Sequence, residues 1–173
     1  MWWRSPALML ALAAGLVGPA LSGCGFQPLY GGTTASGQKL AAVMASVDVV
    51  PIPGRVGQKL RNELIFASTG GGNPAPTRYK LDIAIKERVV DQLVQRTGDA
   101  TGQVFELEAT FKLLDSRTGK VIYQGKTISR APYNRYQEIF ANVRARYDAE
   151  NRAARTAADN IRTQVAAQLA NAA

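Results

Sequence analysis

Two stretches in the middle of the chain, Tyr79–Val89 and Val104–Leu114, alternate apolar and polar residues with a period of two. This alternation predicts two β-strands that each place one face on an apolar core and leave the other face in water. The residues that follow, Asp115–Lys120, predict a tight turn, and Val121–Arg130 then predicts a return strand. The chain is therefore expected to contain an antiparallel sheet with one apolar face and one polar face.

One further strand and two helices are predicted around these strands. Val43–Ile52 has apolar residues at every second position of its first half, which predicts a first strand. Arg55–Ser68 and residues 142–169 carry apolar residues at helical spacing. The apolar stripe of the last helix consists of Tyr147, Ala154, Ala158, Ile161, Val165 and Leu169. The resulting order, β-α-β-β-β-α, predicts an α+β fold, a two-layer sandwich in which a four-stranded mixed sheet packs two helices on one face.

The N-terminal residues 1–23 have the pattern of an export signal. Arg4 precedes the apolar run Ala7–Leu21, which glycine and proline interrupt and which is too short for a comfortable membrane span. The run ends in Leu-Ser-Gly-Cys, which resembles the bacterial lipobox of one apolar residue, two small residues and a cysteine. We therefore predict a lipoprotein signal peptide at 1–23, an acylated flexible tether at 24–40 and a single domain at 41–173.

Cys24 is the only cysteine of the chain. Its thiol is the group that takes a diacylglyceryl thioether, and cleavage exposes its amine to a further acyl chain such as palmitate. Two or more acyl chains hold a protein stably on a membrane. The alternative is an ordinary secretory signal followed by a free or buried cysteine, which is a liability in an exported protein. Gly25 follows Cys24 where some lipoproteins have aspartate, which by resemblance to enterobacterial sorting rules favours the outer membrane.

The residue types present argue against catalysis. The chain has no histidine, and its one cysteine has another use, which excludes Cys/His zinc sites, His-based triads and thiol nucleophiles. Glu106 and Glu108 share a strand face, but antiparallel pairing places basic residues beside them, as in a solvated sheet face. We expect no enzyme, no metal ion and no cofactor; a hydrolase that uses carboxylates alone is the remaining catalytic alternative.

Basic residues exceed acidic ones, and the formal net charge is +8 at pH 7. A positive excess favours anionic partners. Arg88 and Lys112 on polar strand faces, and Arg96 in the connection between the two strands, are candidate ligands for phosphate groups. The alternative for each is solubility and salt bridging. Nucleic acid is not expected as a partner, because an exported, lipid-anchored chain does not meet it and no nucleic-acid motif is present.

Four aromatic residues precede or open the last helix, namely Tyr133, Tyr136, Phe140 and Tyr147. Such residues most often pack in the core or at the junction between elements. The alternative is that they help to form a protein interface.

Taken with the β-α-β-β-β-α order, two segments resemble the LptE family of lipopolysaccharide-assembly lipoproteins in its alphaproteobacterial form. The segments are Cys24–Gly31, "CGFQPLYG", and the Ala- and Arg-rich Ala145–Ala170. The resemblance implies an outer-membrane lipoprotein on the periplasmic side that lies inside the lumen of an LptD-like β-barrel. There it plugs and helps to assemble the barrel and assists the insertion of lipopolysaccharide into the outer leaflet.

The implied partners are the LptD-like barrel, lipopolysaccharide and the membrane, the last through the N-terminal lipid anchor. The alternative function is that of a stand-alone outer-membrane lipoprotein that serves as a structural or envelope-binding module.

Replacing Cys24 by serine is expected to leave the chain uncleaved and unacylated, because serine lacks the thiol that forms the thioether. Intact-mass spectrometry of the membrane fraction should show acyl chains on the wild-type N-terminus and none on Cys24→Ser. Ser22→Ala, which keeps a small residue before the cysteine, is the matched control and should mature normally. A wild-type chain with an unacylated first residue would refute the lipobox.

Overall fold

The structure is a computed structural model that describes residues 32–35, 37–73, 75–94 and 100–172. Its elements are α1 Leu40–Ala45, β1 Val47–Val49, α2 Gly54–Thr69, β2 Tyr79–Val94, β3 Ala100–Asp115, β4 Val121–Asn134 and α3 Ile139–Ala172. The strands form one sheet in the order β1-β2-β3-β4, in which β1 is parallel to β2 and the other pairs are antiparallel. The predicted α+β sandwich with a four-stranded mixed sheet is confirmed, and α1 is an additional short helix.

The central strands follow the alternation in the sequence. The apolar positions of β3, namely Phe105, Leu107, Ala109, Phe111 and Leu113, are all fully buried. Both strands of the β2–β3 pair extend beyond the predicted ends, and their pairing runs from Tyr79↔Asp115 to Val94↔Ala100. By contrast, β1 pairs only with the first three residues of β2.

The predicted turn between β3 and β4 is confirmed. The Asp115 carboxylate accepts hydrogen bonds from the backbone N–H groups of Arg117 and Thr118, each at 2.9 Å. These bonds stabilise the ionised form and lower the pKa of Asp115. Gly119 has a φ of 69°, a conformation that favours glycine. The side chain of Asp115 and the backbone of Gly119 thus fix the return of the chain into β4.

The predicted strand over Val43–Ile52 is wrong in its first part, where the structure has the helix α1. Leu40, Val43 and Met44 are buried at positions i, i+3 and i+4, the spacing of one helix face. Val43 therefore belongs to a helical pattern as well as to the alternation that suggested a strand. A short apolar run fits both periods, and burial against the core favours the helix here.

The helix α2 confirms the predicted helix over Arg55–Ser68. It begins after Pro53 and ends at Thr69, where Gly70 caps it with a φ of 63° in the left-handed region. Val56, Leu60 and Leu64 are buried. These three residues form the stripe by which α2 faces the core.

The helix α3 is longer than predicted and has 34 residues. Six of its alanines are fully or almost fully buried, namely Ala149, Ala153, Ala154, Ala157, Ala158 and Ala166. Small side chains on the packed face let a helix lie close to a sheet. The placement of Tyr147 in the buried stripe was wrong, because this residue is exposed. No helix in the described ranges is both long and apolar enough to cross a membrane.

The residues before α1 lie against the far end of α3. The N–H of Ala35 donates to the carbonyl oxygen of Ala170 at 3.1 Å, and Thr34 is buried. A helix of 34 residues is about 50 Å long at 1.5 Å per residue. The chain therefore enters the domain at one end of α3, about 50 Å from the start of that helix.

Replacing Gly125 by alanine is expected to lower the free energy of unfolding by about 1–3 kcal/mol, because it overpacks the core. A Cβ atom at Gly125 would lie 2.6 Å from Cζ of Phe111 and 3.0 Å from Oε1 of Gln164. Urea unfolding measures the loss. In a double-mutant cycle, Phe111→Leu should relieve part of the crowding, so the two losses should not add. Additive losses would contradict the close contact.

Candidate functional site

Four site residues were predicted from the sequence, and Cys24 and Arg96 lie outside the residues that the structure describes. Arg88 in β2 and Lys112 in β3 both lie on the polar face of the sheet. Lys112 pairs with Asp82, which is six residues from Arg88 along β2. At the rise of a strand this is a separation of about 20 Å. The structure therefore does not bring Arg88 and Lys112 together.

Arg88 belongs to a row of charges that crosses three strands. Glu106 in β3 lies between Arg88 in β2 and Arg130 in β4. Nε of Arg130 donates to Oε2 of Glu106 at 2.7 Å, whereas Nη1 of Arg88 lies 3.9 Å from Oε1. The Arg88 side chain is 70% exposed. Arg130 thus holds the carboxylate closely, and Arg88 keeps most of its donors available to a further anion.

A second row lies beside the first and is centred on Glu108. Nζ of Lys126 in β4 lies 2.9 Å from Oε2 of Glu108, and Lys86 in β2 is the cross-strand neighbour on the other side. The hydrogen bond from Lys126, with the charges of Lys126, Lys86 and Arg88, lowers the pKa of Glu108 against the opposing effect of desolvation. Glu108 therefore stays ionised at neutral pH and partly neutralises the cations around it.

The two rows together place four cations around two carboxylates, and we call this group the cationic rows: Lys86, Arg88, Lys126 and Arg130 with Glu106 and Glu108. The group has a positive excess on an open surface, which suits contact with phosphate groups. Cross-strand pairing of exposed charges is also a common source of solubility, worth little in stability. The geometry allows both interpretations.

Sequence reasoning did not select Lys126 and Arg130 as site residues. The signal was present, because a tight turn after β3 fixes an antiparallel β4 and so places its basic residues beside the two glutamates. Arg130 lies directly opposite Glu106, whereas Lys126 lies opposite Thr110 and reaches Glu108 diagonally. Pairing of these glutamates with basic residues was predicted only for β2. There the cross-strand arrangement of Lys86 and Arg88 with the two glutamates is confirmed.

A separate cleft of about 420 Å³ lies between the start of α2, β2 and the first half of α3. Glu150 forms its buried wall, with a side chain only 5% exposed. Nε of Arg146 donates to Oε1 of Glu150 at 2.8 Å, and Nη2 of Arg55 donates to Oε2. Arg55 also donates to Oδ1 of Asn151 at 3.0 Å and lies 4.5 Å from the ring centre of Tyr147.

The side chains that line the cleft hold two helices together. Arg55 comes from α2 and Glu150 from α3, so their ion pair ties the start of α2 to α3. The two arginines of the cleft are balanced by Glu150 and by Glu87 on the opposite wall. A site without a charge excess has little attraction for an anionic ligand. The cluster is therefore a structural junction.

The four aromatic residues around the start of α3 divide into two groups. Tyr133 is partly buried and donates to Oε1 of Gln103 at 2.7 Å, and burial raises its pKa. Tyr136, Phe140 and Tyr147 are exposed. Junction packing thus accounts for Tyr133 but not for the other three.

The comparisons with known proteins agree with this fold. The LptE family model, which carries the description lipopolysaccharide-assembly, matches residues 44–165, more than half of the chain. No curated protein matches the chain. The match begins within α1 and ends within α3, so it includes the whole sheet.

Solved structures of bacterial lipoproteins share the fold. A protein of Caulobacter crescentus CB15 that has been assigned as a lipoprotein is 26% identical, with a TM-score of 0.65 over 76% of this chain and 96% of that chain. A minor lipoprotein of Acinetobacter baumannii is 18% identical, with a TM-score of 0.54 over 72% and 94% of the two chains. The rare lipoprotein B of Shewanella oneidensis is 14% identical, with a TM-score of 0.53 over 70% and 92%. The last two show similarity of fold alone.

The double replacement Arg55→Met and Arg146→Met is expected to lower the free energy of unfolding by about 3–5 kcal/mol, because it leaves the Glu150 carboxylate buried without a cation. Glu150→Gln is the matched comparison. It leaves two half-exposed arginines that water solvates, so the expected loss is only about 1 kcal/mol. Urea unfolding at neutral pH measures both variants. Equal losses would contradict the structural role assigned to the buried carboxylate.

Proposed function

The chain belongs to the LptE family of lipopolysaccharide-assembly lipoproteins, and from this membership we propose that it plugs and helps to assemble an LptD-like β-barrel and assists lipopolysaccharide insertion into the outer leaflet. Membership gives the chain a role in lipopolysaccharide assembly and therefore a place in the cell envelope. The proposed action within the barrel is supported by the family match, which covers a sandwich whose sheet has a solvent-exposed, positively charged face.

The architecture supports a role inside a barrel. Both long helices cover the apolar face of the sheet, and the other face carries the cationic rows. A polar face of this kind is compatible with a water-filled lumen, and a single compact sandwich has the form of a plug. The proposed anchor at Cys24 would hold the domain at the periplasmic side of the outer membrane. Neither scaffolding nor plugging requires catalysis, so we propose a role that is not enzymatic.

The charge pattern supports contact with lipopolysaccharide. Its lipid A and core sugars carry phosphate groups, which arginine recognises through paired donors. Arg88 is the most accessible cation of its row, and Lys112 lies further along the same face. We propose that these two residues, with Arg96 in the connection between β2 and β3, contact those phosphates.

Affinity purification of the tagged, acylated wild-type protein from detergent extracts is expected to recover an LptD-like barrel together with lipopolysaccharide, because plug and barrel form one complex. Mass spectrometry identifies the barrel, and phosphate and sugar analysis quantifies the glycolipid. Arg88→Gln with Lys112→Gln should keep the barrel but retain about tenfold less lipopolysaccharide for each charge-assisted hydrogen bond that is removed. Lys59→Gln, which removes a positive charge from α2, is the control and should retain the wild-type amount.

Depletion of the protein from cells distinguishes the alternative function, a stand-alone envelope lipoprotein, from the proposed plug. If the barrel is absent from wild-type extracts that preserve other barrel complexes, and surface lipopolysaccharide stays normal after depletion, the chain is a stand-alone envelope lipoprotein. Loss of surface lipopolysaccharide together with the barrel in the purified complex supports the plug.

A further inference from the structure

The first turns of α3 carry large apolar side chains that the described part of the chain leaves exposed. Ile139 is 81% exposed and Phe140 is 78% exposed, while Val143 and Tyr147 are exposed to a smaller extent. Ile139 and Phe140 are adjacent, and Val143 and Tyr147 follow at intervals of three and four residues, so all four lie within about 100° on one side of the helix. We call these four residues the α3 stripe.

The α3 stripe continues the face that packs on the core. From Ala149 onward the same side of α3 is buried against the sheet and α2. Cover of α3 by α2 ends near Glu150, because α2 begins at Gly54 and its second residue, Arg55, contacts Glu150. Before Ala149, the described residues therefore leave the apolar side of the helix exposed.

The start of the stripe is fixed in place. Oδ1 of Asn142 accepts a hydrogen bond from the N–H of Tyr136 at 2.6 Å, which holds the chain before α3 against the first turn. Arg55 lies on the ring of Tyr147 at 4.5 Å and is itself held by Glu150. A surface that is ordered before binding loses less conformational entropy when a partner covers it.

The rim of the stripe has a positive excess, with two arginines and, beside Ile139, the exposed Glu138. Arg144 lies one turn from Phe140, and Arg135 lies in the segment before the helix. Both are exposed, and within the described residues neither makes an ion pair. Exposed aromatic side chains beside arginine are typical of protein-binding hot spots.

We propose that the α3 stripe docks onto the protein wall of the barrel partner, at a patch with an apolar centre and acidic side chains around it. The inference rests on the proposed function for the existence of that barrel, and it adds the surface by which the chain binds it. Complementary charge at the rim would set the orientation of docking, and the apolar centre would supply most of the affinity.

The chain's own tether does not reach this surface. The residues before α1 contact Ala170 near the other end of α3, about 35–47 Å from the stripe at 1.5 Å per residue. After cleavage before Cys24, residues 24–31 span at most about 28 Å. A second copy is also a poor occupant, because a symmetric pair would place Arg135 and Arg144 of both copies at one interface.

A lipid acyl chain fits less well than a protein surface. The cleft that adjoins the stripe is lined by Arg55, Glu87, Arg146 and Glu150, so an acyl chain that entered it would meet charged groups. The stripe itself is the side of a helix and not an enclosed apolar cavity. A protein wall instead covers the apolar side chains and supplies carboxylates to the arginines.

The test compares full-length acylated variants by the amount of barrel recovered with them. Phe140→Ser is expected to lower recovery about tenfold or more, as for a central hot-spot residue. Phe66→Ser is the matched control, because Phe66 is also a phenylalanine, 65% exposed, but lies near the end of α2. It should recover the barrel as wild type does. Arg144→Glu should weaken recovery by repelling the acidic rim, and thermal melting should show that all three variants fold.

A photo-crosslinking amino acid at Phe140 identifies the occupant directly. Crosslinks to the barrel support the proposal, whereas crosslinks to lipopolysaccharide, phospholipid or a second copy of the chain overturn it. Equal recovery of the barrel by wild type and Phe140→Ser overturns this inference and leaves the proposed function intact. Failure of the wild type to recover any barrel instead overturns the proposed function, and the inference with it.

Discussion

The close packing of α3 on the sheet is the interaction on which the rest of the structure depends. The helix contributes alanines to this layer, and β3 contributes Phe105, Leu107, Phe111 and Leu113. Small side chains on one surface and large ones on the other fill the space between them at the density of a protein interior. Gly125 shows how little room remains, because even a methyl group there would overlap Phe111.

This packing determines which face of the sheet stays in water. With both long helices on one side, the charged residues of β2 and β3 in the cationic rows face outward. Glu106 of β3 lies between Arg88 of β2 and Arg130 of β4. Carboxylates at the centre hold the cations in fixed rows while leaving the outer donors of Arg88 in solvent. The same layer arrangement thus produces both the core and the charged surface that the proposed function uses.

The parts of the fold that the sequence predicted are those with one dominant period. The alternation in β2 and β3, like the Asp115 turn, is compatible with one local structure only. Residues 43–45 fit a helix and a strand equally, and the burial of Leu40 and Met44 favours the helix. Tyr147 could not be placed from its spacing, because its exposure depends on where α2 begins. The positions of Lys126 and Arg130 beside the two glutamates depend on the register of β4. The sequence pattern indicated the antiparallel pairing but not this register.

The short β1 has a consequence for the chain before it meets a partner. Because β1 covers only Tyr79–Leu81, most of β2 presents backbone donors and acceptors along one side of the sheet, as β4 does along the other, within the described residues. Open strand edges are templates for pairing with another chain and so promote aggregation. The irregular pairing near Asp91 and Leu93 and the missing donor of Pro132 interrupt these edges, so that neighbouring copies are discouraged from joining their sheets.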